Sequence, residues 1–165
     1  MKMSPKGIDL LVELEGFERK KYKDVAGYWT IGVGHLITKE ELSSGLIKLK
    51  TNWIGINQIL NDFEIKELLE LDLFPKENCI NTYVKVPLAQ HQFDALVSFC
   101  FNVGVSNFKS STLLKLLNRK EYDAIPEQFR RWVYAGSTTK VRGLVNRRER
   151  ECYLWETGKY VYPNR

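Results

Sequence analysis

Between Tyr22 and Ile37 the chain reads YKDVAGYWTIGVGHLI, a run of β-forming residues cut by Gly27, Gly32 and Gly34. Nothing else in the 165 residues has this character. β-formers broken by glycines predict a β-hairpin or a small antiparallel sheet, with a turn near Ala26-Gly27. Helical patterning on both sides confines that sheet to one place near the N-terminus. Ser4-Pro5 predicts a helix start, and Ile8, Leu11, Val12 and Glu15 follow on one face up to a stop at Gly16. Thr38-Lys39-Glu40-Glu41 fits a capping box for a short helix ending near Gly45.

From about Asn57 the pattern is helical almost to the end. A long helix is expected to run to about Val84, kinked or broken by Pro75. Further helices are expected from Pro87 to about Gly104, from a cap at Ser110 or Ser111 to Leu117, from Tyr122 to Tyr134, and from Leu144 to Thr157. The class is therefore α+β and mainly helical, one domain over 1–165. A β-containing lobe at about 16–56 would sit beside a larger helical lobe at about 57–165 that also takes the N-terminal helix. A cleft between two such lobes is where a ligand is expected.

Composition narrows the function classes. Cys79, Cys100 and Cys152 form no CxxC pair, and with two histidines no zinc framework follows, so no metal and no cofactor are expected. They read as reduced, buried thiols. No run reaches the roughly 18 apolar residues of a membrane span. Asp9 and Glu13 interrupt the only apolar stretch near the N-terminus, so no signal peptide is expected. The net charge of +5 is uneven. Residues 109–165 carry 13 Lys/Arg against 6 Asp/Glu, which points to an anionic partner or to a solvated basic face. No nucleic-acid motif accompanies those charges, so nucleic acid is not the expected partner.

Three carboxylates lie in the first helical region. Asp9 and Glu13 fall off the apolar stripe and read as solvated. Glu15 shares the face of Ile8, Leu11 and Val12, where desolvation raises a carboxyl pKa and suits it to be a general acid. From position alone a structural Glu paired with an arginine is the favoured reading. Asp24 follows nine residues later, at the hairpin's start, and Thr30 six after that. An acid in an apolar setting and a carboxylate in a polar one is the pairing glycoside hydrolysis uses, and a threonine hydroxyl can hold a water.

The combined string is specific. Glu15-Gly16-Phe17, Tyr22-Lys23-Asp24, Gly27, and Thr30-Ile31-Gly32-Val33-Gly34-His35 resemble the phage-type lysozymes, glycoside hydrolase family 24, and most of all their lambdoid branch. The likeness continues through Leu71-Asp72-Leu73, Gln92 to Phe99, Phe101-Asn102-Val103-Gly104, Ser111 to Leu114, and Gly143-Leu144-Val145 with Arg147-Arg148-x-x-Glu151. The loop Tyr134 to Lys140 departs from the family pattern. The resemblance implies an endolysin that cleaves the β-1,4 bond between N-acetylmuramic acid and N-acetylglucosamine of peptidoglycan with inversion and lyses the host cell. It implies Glu15, Asp24 and Thr30 as the catalytic triad and Leu36, Phe101, Asn102 and Ser111 as saccharide contacts. It pairs His35 with Asp72, tying the two lobes together, and sets Arg147 against Glu15. It also implies a monomer made in the host cytoplasm, without membrane insertion, reaching the periplasmic wall and its anionic envelope through a holin pore. A non-catalytic wall-binding relative is the alternative, though such a chain would need a damaged triad.

Overall fold

The computed structural model describes residues 1–136 and 138–163, so Ser137 of the divergent loop lies outside it. The chain clusters into two compact units, one of Met1–Leu14 with Pro75–Arg165 and one of Glu15–Phe74. The division thus falls at residue 74, inside a helix, rather than near residue 56 as the change in patterning predicts.

The unit Glu15–Phe74 holds the sheet. Strands β1 (Glu18–Lys23), β2 (Trp29–Gly32) and β3 (His35–Leu36) pair antiparallel in the order β1-β2-β3. The β1–β2 turn falls at Asp24 to Tyr28, where Gly27 N–H donates to the Asp24 carbonyl at 2.9 Å. Gly32 and Gly34, at φ +66° and +68°, turn the chain from β2 into β3, a backbone that L side chains resist. Helix α2 (Lys39–Ser44) has the expected capping box, with Glu41 N–H donating to Thr38 Oγ1 at 3.1 Å and Thr38 N–H to Glu41 Oε1 at 2.9 Å. A second hairpin, β4 (Leu46–Lys48) with β5 (Trp53–Gly55), follows and was not expected from the sequence. Ile31, Val33, Ile47, Leu49, Ile54, Leu68 and Leu69 make this unit's core.

Helix α3 (Asp62–Tyr83) runs through Pro75 as one element. Proline removes one ladder hydrogen bond, and burial of Leu69, Leu73, Cys79 and Ile80 along the same helix outweighs that loss.

The other unit is helical throughout. Helix α1 (Pro5–Glu15) starts where Ser4 Oγ accepts the Gly7 N–H at 3.0 Å. Helix α4 (Gln90–Val103) begins three residues after Pro87, with Gln92 Oε1 accepting the Ala89 N–H at 2.8 Å. Gly104, at φ +93°, ends it and starts the unexpected short helix α5 (Val105–Ser110). Helix α6 (Thr112–Asn118) is followed by a single 3-10 turn at Tyr122–Ala124 and by α7 (Ile125–Arg130), which stops short of the expected Tyr134. Helix α8 (Arg142–Thr157) ends at Gly158 in the left-handed region. Phe99 is the hub of the core, its ring 5.2 Å from Phe129 and 5.8 Å from Trp132. All three cysteines are free and buried.

Two polar clusters sit inside this unit. Glu151, 1% exposed, lies 2.6 Å from Arg148, which is 0% exposed, and accepts from Ser98 Oγ at 3.0 Å. Asp94, also wholly buried, accepts from Ser4 N–H at 3.0 Å, the Ser4 hydroxyl, Gln90 Nε2 at 2.9 Å and Tyr160 Oη at 2.6 Å. A Cβ at Gly7 would stand 2.6 Å from Asp94 Oδ2, so only glycine lets the carboxylate approach α1 this closely.

Candidate active site

The Glu15–Phe74 unit contains all three residues of the expected triad. Glu15 is the last residue of α1 and is half-buried. Its Oε2 lies 4.0 Å from the point where a side chain at Gly34 would begin, so the carboxyl overlies the β2–β3 turn.

Asp24 directly follows β1. Its Oδ1 accepts two backbone N–H groups, from Ala26 at 2.9 Å and Tyr28 at 2.8 Å. Those bonds fix the carboxylate in the turn. Its other oxygen has no hydrogen bond to any described residue. Thr30, 3% exposed on β2, donates its hydroxyl proton to the Tyr28 carbonyl at 3.0 Å. The same carbonyl accepts the Asp24 N–H at 2.9 Å. The Tyr28 backbone therefore locks both groups, its N–H donating to Asp24 and its carbonyl accepting from Asp24 and Thr30. With its proton committed, Thr30 Oγ1 has only lone pairs to offer a ligand. Sequence reasoning did not single out Tyr28, because its side chain is exposed and only its backbone makes these bonds.

His35 on β3 shows both ring nitrogens to carboxylates. Nδ1 lies 2.8 Å from Asp72 Oδ2 and Nε2 lies 2.9 Å from Glu41 Oε1. Burial alone would lower its pKa, but the hydrogen bonds and charges of Asp72 and Glu41 outweigh it and raise the value to about 9. An imidazolium, with two N–H donors, satisfies both partners. The expected pair is therefore a triad, and it ties β3 to α2 and α3 within one unit rather than joining two lobes. Glu41 was legible only as a capping residue.

The remaining expected residues divide. Leu36, the second residue of β3, is 52% exposed and open to a ligand. Phe101 is half-buried and Asn102 exposed on α4. Asn102 lines a cavity of about 720 Å³ with Leu14, Leu144, Arg147 and Arg150. Arg147, 7% exposed on α8, donates to the Ser98 carbonyl at 3.0 Å and lies 3.8 Å from Glu151. Ser111 is engaged within the fold. It is 4% exposed, donates to the Phe108 carbonyl at 2.7 Å and accepts the Leu114 N–H at 3.2 Å. Its hydroxyl caps α6.

No group of three or more possible metal ligands exists among the described residues, and no described helix is long and apolar enough to cross a membrane.

Comparison with known proteins gives the family. The Phage lysozyme family model matches residues 12–151. The endolysin of Salmonella phage P22 is 38% identical over 154 residues, covering 93% of this chain and 99% of that protein. A SAR-endolysin of Escherichia phage Mu is 37% identical over 145 residues, covering 88% and 75%. A crystal structure of a P22 lysozyme mutant superposes with a TM-score of 0.79 at 38% identity, covering 95% of this chain and 99% of that one.

Proposed function

The chain belongs to the phage lysozyme family, and from that premise we propose that it is an endolysin that hydrolyses the β-1,4 bond between N-acetylmuramic acid and N-acetylglucosamine with inversion, acting as a single catalytic domain. The arrangement around the Tyr28 backbone is the observation that carries this reading. An attacking water must give its protons to acceptors so that a lone pair faces the anomeric carbon. Thr30 Oγ1, its own proton committed to Tyr28, is one such acceptor. The free oxygen of Asp24 is the other and takes the proton as general base. Glu15 protonates the leaving oxygen as the glycosidic bond breaks. The new bond forms to water on the opposite face of the sugar, which gives inversion.

Arg147 is assigned to orient the Glu15 carboxyl, and Leu36, Phe101 and Asn102 to contact the saccharide. The substrate lies in an anionic envelope, and release to it is assigned to a holin pore. Expression of the chain with and without a pore former tests the last point. Lysis without one would favour the route implied by the name of the SAR-endolysin relative.

Turbidity of purified walls tests the chemistry. Glu15→Gln and Asp24→Asn should abolish clearing with unchanged thermal midpoints, and NMR of the first product should show the α-anomer. A β-anomer as first product would refute inversion, and full activity of Glu15→Gln would refute the assignment of the acid.

A further inference from the structure

The sheet register puts three side chains in a row. Thr30 is the Cα partner of Tyr22 on β1 and of Leu36 on β3. Directly paired residues in an antiparallel sheet project to the same face. Thr30 is 3% exposed, whereas Tyr22 is 37% and Leu36 52% exposed. The buried hydroxyl assigned to hold water is thus a floor between two standing walls.

Tyr22 has the features of a ligand-facing residue. The pairing of β1 with β2 shifts register between Glu18 and Tyr22, an irregularity of the kind that re-aims a side chain. No described residue hydrogen-bonds its hydroxyl. Burial, then the charges of Glu18, Asp24 and Glu15, hold the phenol above its ordinary pKa. A phenol in that field stays protonated and can donate to the oxygens of a sugar, while its ring packs against C–H groups.

We propose that Tyr22 is a further catalytic-site residue: the sugar under attack seats over Thr30 between the Tyr22 and Leu36 side chains, and Tyr22 Oη donates a hydrogen bond to it. The inference rests on the hydrolase reading above, since it supplies the sugar.

The test is the kinetics of Tyr22→Phe and Tyr22→Ala on purified walls, with Glu15→Gln as the inactive control. Tyr22→Phe should lower kcat/KM roughly tenfold, the size of one neutral hydrogen bond. Its thermal midpoint should not move, because no protein partner is lost. Neither limb of its pH profile should move, because a neutral donor does not titrate. Tyr22→Ala should lose more, chiefly through KM. If Tyr22→Phe keeps wild-type kcat/KM while Glu15→Gln is dead, this inference fails and the hydrolase reading stands. If the loss in Tyr22→Phe tracks a fall in thermal midpoint, Tyr22 is structural and the inference also fails. If the wild type does not clear walls, both readings fall together.

Discussion

The backbone of one residue, Tyr28, holds both Asp24 and Thr30. A hydroxyl whose proton is already given to a carbonyl cannot compete with water as a donor, so it presents lone pairs only. Thr30→Val keeps the shape and removes the acceptor. Turnover of walls should fall about 10²–10³-fold, with about 1 kcal/mol lost in chemical denaturation. The second prediction concerns Glu151. It is buried against Arg148 at 2.6 Å, and Arg147 lies 3.8 Å away. Removing the carboxylate leaves buried guanidinium charge without its counter-ion. Glu151→Ala should cost about 3–5 kcal/mol in denaturant unfolding, far more than loss of an exposed pair such as Arg130–Glu149. Asp24 and Thr30 could be singled out because their spacing is local: they share one hairpin. Tyr28 could not, because a backbone carbonyl leaves no mark on the residue type. The capping role of Ser111 was not separable from a binding one, since a serine before a helix reads the same whether it caps or binds.

Elements in the Glu15–Phe74 unit are joined by one imidazolium. The folded pKa of His35 is about 9 against 6.5 for an ordinary histidine. A raised folded value means that the stabilisation is complete below about 6.5 and is lost as pH rises through about 9. The loss over that window is at most about 3 kcal/mol. Denaturation midpoints between pH 6 and pH 10 should fall accordingly. In Asp72→Asn the decline should flatten and the NMR titration of His35 should move down, while wall clearing at low temperature persists. An undisturbed titration in that variant would show that Asp72 does not hold the charge. Helix α2 and its capping box could be read from four consecutive residues, because each partner lies within one turn. The β4–β5 hairpin could not, because strands of three residues, one buried side chain in each, show no alternation to read. The unbroken α3 has the opposite origin. Pro75 is a strong local signal, and burial along the same helix overrides it.

For the whole molecule, the balance of charge matters more than any one pair. Lys109, Lys115, Arg119, Lys120 and Arg131 are all exposed. Arg130 belongs to a lesser class, since Glu149 holds it at 2.8 Å. Wall clearing should weaken between about 10 mM and about 300 mM salt as the screening length contracts from about 30 Å to under 8 Å. Neutralising the five should flatten that dependence and leave turnover of a short soluble oligosaccharide unchanged. A wild type indifferent to salt would show that this face has no part in wall association. The mainly helical class was legible in the sequence, but the discontinuous unit that joins Met1–Leu14 to Pro75–Arg165 was not, because its contacts link residues far apart in the chain. The Asp94 cluster is such a contact, and it has a mechanical consequence. Ser4 and Tyr160 are 156 positions apart, yet both bond to the Asp94 carboxylate, and their hydroxyls lie 3.5 Å from each other. Tension applied between those two residues follows that short path, Ser4 to Asp94 to Tyr160, instead of running along the backbone. The intervening chain bears no load until those hydrogen bonds give way. In a pulling experiment the first yield should therefore report the strength of a few hydrogen bonds, and every helix and strand should extend only after that clasp has opened.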